Sequence, residues 1–336
     1  MTPYESMASF ENLYAAYRAA ARCKRTREEV ICFELDLAEN LWRLHEELIE
    51  KTYRVSPYHT FTIYDPKLRN IQALAFRDRV VQRSLCGNVL EPFFEPRLIH
   101  DCAACRKGKG TSFAARRLEG FLREHYRAHG DAGWSLKIDV RKYFDSIDHS
   151  VLKKRLERFP DDETRAFLYE IVDSYNADTG KGLPLGNQSS QWFALYYLDQ
   201  IDRMAKERFR VRYYTRYMDD MVLVHPDRGY LVACLDELRA FAREELALEF
   251  NQKTQLAPLA QGIDYLGWHF YLTETGKVVR KLRPSNKRRL KRRIRKLRDQ
   301  VAEGEVTQEQ ERRIVAGIDG HLRQGDTGAL RRRVLG

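Results

Sequence analysis

Apolar side chains in the first 57 residues recur every three to four positions. Phe10, Leu13, Tyr14 and Tyr17 form one stripe, and Ile31, Leu35, Leu41, Leu44 and Leu48 another, which predicts helices turning these faces toward a core. The period then changes. YHTFTIYDPKLRNI (58–71) alternates apolar and polar residues around an Asp-Pro, the pattern of a hairpin with Lys67 and Arg69 near its turn. A basic helical stretch, FRDRVVQRSLCGNVLEPFF, follows, and then CRKGKGTSFAARRLEGFLREHYR, a glycine-containing basic loop opening a helix. Its glycine spacing is not that of a Walker loop. In WSLKIDVRKYFDSIDH, Leu136, Ile138 and Val140 alternate before a helical period begins at Tyr143, so a strand runs into a helix. A second helix starts after GKGLPLGNQSS. VRYYTRYMDDMVLVH places two alternating runs about a tight acidic turn, a hairpin without the usual Asn-Gly. A helix is expected near Leu231–Leu246, then a pair of short strands in NQKTQLAPLAQGIDYLGWHFYL. From Lys277 the chain is basic and helical, with Leu290, Ile294, Leu297 and Val301 on one stripe. No repeat or low-complexity linker divides it, and the lobes are expected to interleave around one sheet.

Two features break these patterns. Asp139 stands between Ile138 and Val140 at an otherwise apolar strand end, and Asp219-Asp220 occupy the hairpin tip. Adjacent carboxylates repel one another and, when buried, raise one another's pKa. A divalent cation removes the conflict, and oxygen ligands suit Mg²⁺, two ions of which can clamp the attacking and leaving oxygens of a phosphoryl transfer. On spacing alone, a solvated Asp-Asp turn and an unrelated N-cap aspartate account for them equally well.

Several motifs in series carry a resemblance. LKIDVRKYFDSIDH is similar to the first catalytic motif of reverse transcriptases, GLPLGNQSSQWFALYYLD to their substrate-binding motif, Tyr217–Asp220 (YMDD) to their signature turn and QGIDYLGW to their primer grip. FRDRVVQ and CRKGKGT resemble fingers motifs of the bacterial group-II-intron-like branch. The resemblance implies an α+β, right-hand polymerase fold. Its parts are an N-terminal helical segment of the fingers (1–57), a fingers and palm domain with an antiparallel sheet (58–275), and a short basic helical thumb (276–336). It implies RNA-directed DNA polymerisation with two Mg²⁺ ions, Mn²⁺ being a substitute.

Position by position, it implies that Asp139 and Asp219 bind both metals and that Asp220 is a weaker ligand, with the Val140 backbone supporting the triphosphate-bound ion. Phe144 falls at the steric gate against a ribose 2′-hydroxyl, with a core aromatic as the plainer alternative. Lys67 and Arg69 would meet the incoming triphosphate, and Lys253, otherwise a surface lysine, would assist pyrophosphate departure. Tyr217 and Met218 would support the primer-template end. Leu266, Gly267 and Trp268 would lie at the primer backbone, Gly267 because a side chain obstructs that approach. Arg106 and Lys107 would contact primer or template, as would Arg289, Arg292 and Arg293. Asp145 and Asp148 suit a helix start.

Leu185-Gly186 followed by Ser190-Gln191 departs from the usual Gln-Gly and Ser-Pro, and resembles the enzymes of diversity-generating retroelements. These copy a template-repeat RNA with errors opposite adenine. Leu185 loses a hydrogen bond to the nucleotide, worth about 0.5–1.5 kcal/mol or around tenfold in discrimination, unless it is a neutral packing change. The partners implied are template RNA, the RNA–DNA duplex, deoxynucleoside triphosphates and a small basic accessory protein oligomer. Another bacterial reverse transcriptase, of antiphage defence or intron origin, and a non-catalytic RNA-binding protein of the same fold are the alternatives.

Composition sharpens the picture only through charge. Of 336 residues, 59 are Lys or Arg and 48 Asp or Glu, a net +11, consistent with a polyanionic partner. Residues 277–336 hold 19 basic and 7 acidic residues, a net +12, leaving 40 against 41 elsewhere. The excess therefore belongs to the thumb segment. Hydrophobic residues at 43% exclude a disordered tail, no 18-residue apolar run predicts a membrane span, and six scattered cysteines without a leader point to a reducing cytoplasm. Cys102 and Cys105 have zinc or redox spacing but no second pair.

Overall fold

The computed structural model describes residues 1–64 and 68–335, so Lys67, expected near the first hairpin turn, lies outside the described residues. The chain divides into two units: Met1–Arg106, Val140–Met204 and Glu237–Asn251 form the first; Lys107–Asp139, Ala205–Asp236 and Gln252–Gly336 form the second.

The first unit begins with helices Pro3–Ala8, Phe10–Ala21, Glu28–Leu35 and Leu37–Ile49. Thr2 and Glu5 form a capping box, and the Ser9 hydroxyl accepts from the Asn12 amide at 3.3 Å, which fixes the first two starts. Leu13, Tyr17, Leu41, Leu44 and Leu48 are buried as their spacing predicts, but Tyr14, Ile31 and Leu35 are exposed. That is a correction. In the eight-residue helix Glu28–Leu35, Val30 and Phe33 turn inward, Phe33 meeting Phe76 edge-on at 5.2 Å, so the opposite stripe faces out. Strands β1 (His59–Ile63) and β2 (Arg69–Ala73) pair antiparallel, with Ile63 opposite Arg69. Helix Phe76–Leu85 runs into a wide π turn, Cys86–Leu90. Helix Gln188–Tyr197 is buried along almost its whole length, stacking Tyr196 on Phe94 at 4.5 Å.

The second unit holds two sheets. In the first, β3 (Trp134–Ile138), β4 (Tyr213–Tyr217), β5 (Asp220–His225) and β6 (Gln255–Pro258) run in the order β4-β5-β3-β6, every pair antiparallel. Met221 to Val224 of β5 are all buried, as a central strand covered on both faces requires. Helix Thr111–His129 covers β4, with Phe121 5.8 Å from Tyr213. The second sheet is β7 (Ile263–Tyr265), β8 (Trp268–Leu272) and β9 (Val278–Leu282). Two sheets here, and not one, hold the strands of this unit. The stretch after Lys277 also begins as a strand, β9, before turning helical.

Helices Pro284–Ala302, Gln308–Leu322 and Gly328–Leu335 close the chain around Ile294, Ile318, Leu322 and Val334, with Leu290 packed against them. All six cysteines are free thiols. Among the described residues no helix is long and apolar enough to cross a membrane.

Candidate active site

Register brings the carboxylates of the second unit together. Ile138 and Met221 are the last paired residues of β3 and β5, and both are fully buried. Asp139 and Asp220 lie one residue beyond that pair, so alternation directs them to the other face. Tyr217 pairs with Asp220, leaving Met218 and Asp219 as a two-residue turn. Met218 has φ +57°, a left-handed conformation costing a non-glycine residue on the order of 1–3 kcal/mol. Arg216, completely buried, donates from Nη1 to the Met218 carbonyl at 3.0 Å and holds the turn from beneath.

Lys137, in β3 two residues before Asp139, reaches toward this face. Its Nζ donates to the Asp264 carbonyl at 2.7 Å and lies 3.3 Å from Asp220 Oδ1, an ion pair outside hydrogen-bonding geometry. Burial pushes the Asp220 carboxyl up to about 6; Lys137 opposes the shift, and Asp219 and Asp139 add to it. A carboxyl whose pKa is higher folded than unfolded binds its proton better in the folded state. Stability is therefore lost as pH rises from the ordinary 3.8 toward 6. The loss is about 2–3 kcal/mol by pH 7. Asp220→Asn should remove it: in metal-free urea titrations the variant gains about 2 kcal/mol over the parent at pH 7 and little at pH 4. An equal difference at both pH values would refute the assignment.

Three hard oxygen donors that repel one another, one with a buried oxygen lacking a hydrogen bond, fit a divalent cation such as Mg²⁺ in chemistry. Among the described residues no three His, Cys, Asp or Glu side chains close into a metal-holding cluster. The fit therefore rests on donor type and mutual repulsion.

The first unit holds several of the other expected residues. Val140 is buried and bridges to Phe250. Phe144 is half-buried, its carbonyl accepting from the Leu183 amide at 2.8 Å; the aromatic committed to the core is its neighbour Tyr143, whose hydroxyl donates to the Ala194 carbonyl. Leu185 exchanges backbone contacts with β2: the Gln72 amide donates to its carbonyl at 3.1 Å, and its own amide donates to Gln72 Oε1 at 3.3 Å. Gly186 has φ +133°, and a Cβ there would lie 3.0 Å from the Gln72 carbonyl, so the close approach requires glycine. Ser190 is buried, and Gln191 Oε1 accepts from Cys105 Sγ at 3.0 Å. Arg69 is exposed at the start of β2. Asp148 caps helix His149–Leu156 by accepting from the Ser150 and Val151 amides, as expected of a helix-start carboxylate.

The remaining expected residues have surroundings of several kinds. All five Arg106 donors are spent on Glu95, its carbonyl and the carbonyls of Ile99 and Cys102, so this arginine clamps its own loop and offers nothing to a phosphate. Lys107 is exposed. Leu266 (φ +50°) and Gly267 (φ +85°) form the turn between β7 and β8, and a Cβ on Gly267 would lie 2.6 Å from Asn286 Nδ2. The turn and Asn286 thus already require this glycine. Trp268 is buried, with Arg280 4.8 Å over its ring and His321 at 5.1 Å, so it serves the core. Tyr217 ends β4 half-buried, Lys253 is exposed in the turn before β6, and Arg289, Arg292 and Arg293 are exposed on helix Pro284–Ala302. Lys137, Arg216 and Gln72 were missed in the sequence. Period two would have found Lys137, which shares a strand face with Asp139; nothing local marks the other two.

Residues 64–270 match the family model described as reverse transcriptase (RNA-dependent DNA polymerase). Protein YkfC of Escherichia coli K12 is 25% identical over 275 residues, covering 69% of this chain and 71% of that protein. The fold is similar to that of telomerase from Candida albicans, solved in complex with a fragment of telomeric RNA, with a TM-score of 0.50 at 12% identity. That match covers 76% of this chain and 55% of the telomerase chain, so the present chain spans little more than half of it.

Proposed function

This chain belongs to the reverse transcriptase (RNA-dependent DNA polymerase) family, and from that premise we propose that it copies template RNA into DNA from deoxynucleoside triphosphates. The observation that carries the reading is the register that sets Asp139 and Asp220 on adjacent strand ends with Asp219 in the turn beside them. Asp139 and Asp219 would hold the divalent cations, with Asp220 kept nearby by Lys137. Bound Mg²⁺ supplies the charge that stabilises the attacking and leaving oxygens. The protein's own part is positional: Arg216 and the strained Met218 fix the turn, and Arg69 offers a guanidinium to the triphosphate.

The direct test is extension of a labelled DNA primer on an RNA template by the purified chain. Binding without extension would overturn the polymerase reading and leave an RNA-binding protein.

Phe144 acts as the gate against ribonucleotides in this proposal, supported by a ring that is only half-buried. Phe144→Val should raise ribonucleotide incorporation about 10- to 200-fold relative to deoxynucleotides, the range one poorly filled contact commands. An unchanged ratio in competition assays would remove the gate.

The finer reading is an error-prone enzyme of a diversity-generating retroelement that works in the cytoplasm with a basic accessory protein. Its support is Leu185, whose backbone polar groups are both occupied by Gln72 and whose side chain brings no hydrogen bond. Leu185→Gln should lower misincorporation opposite template adenine about tenfold. Equal error spectra from sequenced products would sink this part alone.

A further inference from the structure

The first unit contains a cavity of about 180 Å³ that the polymerisation chemistry above does not use. Lys24, Arg79, Gln82, Arg83, Asn187 and Gln188 line it, together with two alanines and Gly186. Gln82 is 3% exposed, and neither its Oε1 nor its Nε2 has a hydrogen-bond partner. A buried amide left unpaired on both sides is rare, because desolvation without compensation is unfavourable. Helix Gln188–Tyr197 starts at the same wall. Its N-cap, Asn187, makes no side-chain cap; the Asn187 amide donates instead to the Tyr58 hydroxyl at 3.1 Å. The first-turn N–H groups of this ten-residue helix thus lack the usual side-chain acceptor and add the positive end of its dipole.

Charge completes the site. Arg79 is neutralised by Glu29, with its Nε still unpaired. Lys24 and Arg83 make no ion pair among the described residues, and Arg83 donates only to Gln188 Oε1 at 3.1 Å. Two cations outside any ion pair among the described residues, a helix N-terminus and a buried donor together suit an oxyanion with several acceptor oxygens. A phosphodiester can satisfy Gln82 Nε2 but has no proton to offer Oε1. The 2′-hydroxyl of an adjoining ribose does, and that group separates RNA from DNA.

We propose that this cavity binds a phosphate group of an RNA strand, with Gln82 receiving the neighbouring 2′-hydroxyl. The proposal rests on the RNA-copying reading only for the source of the strand, since the cavity itself asks for a phosphate beside a hydroxyl.

Fluorescence anisotropy of the full chain with single-stranded RNA and DNA of one sequence, without nucleotides, tests it. The parent should prefer RNA, and Gln82→Leu should lower RNA affinity about tenfold and erase the preference, the effect of one hydrogen-bonded group. Because the substitution removes an unpaired buried amide, its unfolding midpoint should stay level or rise. Arg83→Gln, at the surface, should weaken RNA and DNA alike and reduce the salt slope by about 0.7, the value for one single-strand phosphate contact.

An RNA-to-DNA ratio untouched by Gln82→Leu overturns the proposal, as does an unchanged salt slope in Arg83→Gln. In a parallel arm, a deoxynucleoside triphosphate is titrated in. Loss of its affinity in Gln82→Leu with RNA affinity kept would give the cavity to free nucleotide and also overturn the strand assignment. Parent primer extension separates the two readings. Discrimination that follows Gln82 in a chain that does not polymerise keeps the cavity and rejects the enzyme; extension with no such discrimination does the reverse.

Discussion

Asp219→Asn should reduce RNA-templated primer extension by about a thousandfold or more while leaving the thermal midpoint close to the parent's. The magnitude follows from the several kcal/mol a bound cation contributes to charge stabilisation, each 1.36 kcal/mol being tenfold in rate. Stability should hold because Asn is isosteric, the side chain is only half-buried, and the turn is fixed by the β4–β5 register and by Arg216 on the Met218 carbonyl. Magnesium titration by calorimetry supplies a second readout, in which Asp219→Asn should weaken binding in the absence of any substrate. Asp220→Asn should be milder in extension, since Asp220 already shares Lys137 and carries a raised pKa. Extension at the parent rate by Asp219→Asn would reject the assignment of this turn to the chemistry.

Neutralising Arg289, Arg292 and Arg293 together should cost the largest share of duplex affinity. Log affinity against log salt falls by about 0.9 per phosphate contacted, so the triple Gln variant should flatten the slope by about 2 to 3. The helix turns Ile294 into the C-terminal core, buries Leu297 and turns these three arginines outward, so the substitution leaves packing intact. A deletion meant to remove the same charge should begin at Pro284, because an earlier end point takes away β9, which pairs with β8 through five residues from Trp268↔Leu282 to Leu272↔Val278. A slope equal to the parent's would show a solvated basic helix.

The elements legible in the sequence were those in which one period ran without competition. Leu136 and Ile138 gave β3, the alternation either side of Tyr217–Asp220 gave β4 and β5, and the Asp-Pro between alternating runs gave β1 and β2. The three aspartates stood out because each interrupts such a pattern. What stayed hidden depends on tertiary partners. Ile31 and Leu35 have the right spacing, but only Phe76, meeting Phe33, decides which side of their helix is covered. Arg106 looks like any basic loop residue until Glu95 is brought beside it. Gly267 and Trp268 were placed in the right turn and strand, yet Asn286, Arg280 and His321, distant in sequence, account for why they are there.

Met218 also bears on how a reaction repeats. Its left-handed backbone is an expense met once, when the chain folds, and Arg216 beneath it keeps the turn from relaxing. A polymerase repeats one reaction many times along a template, so reorganisation needed in each cycle would be charged at every nucleotide. In the proposed polymerase, a turn already held in its working shape would let successive additions start from the same carboxylate spacing, and would tie uniformity of rate along the template to a conformation set before the first nucleotide arrives.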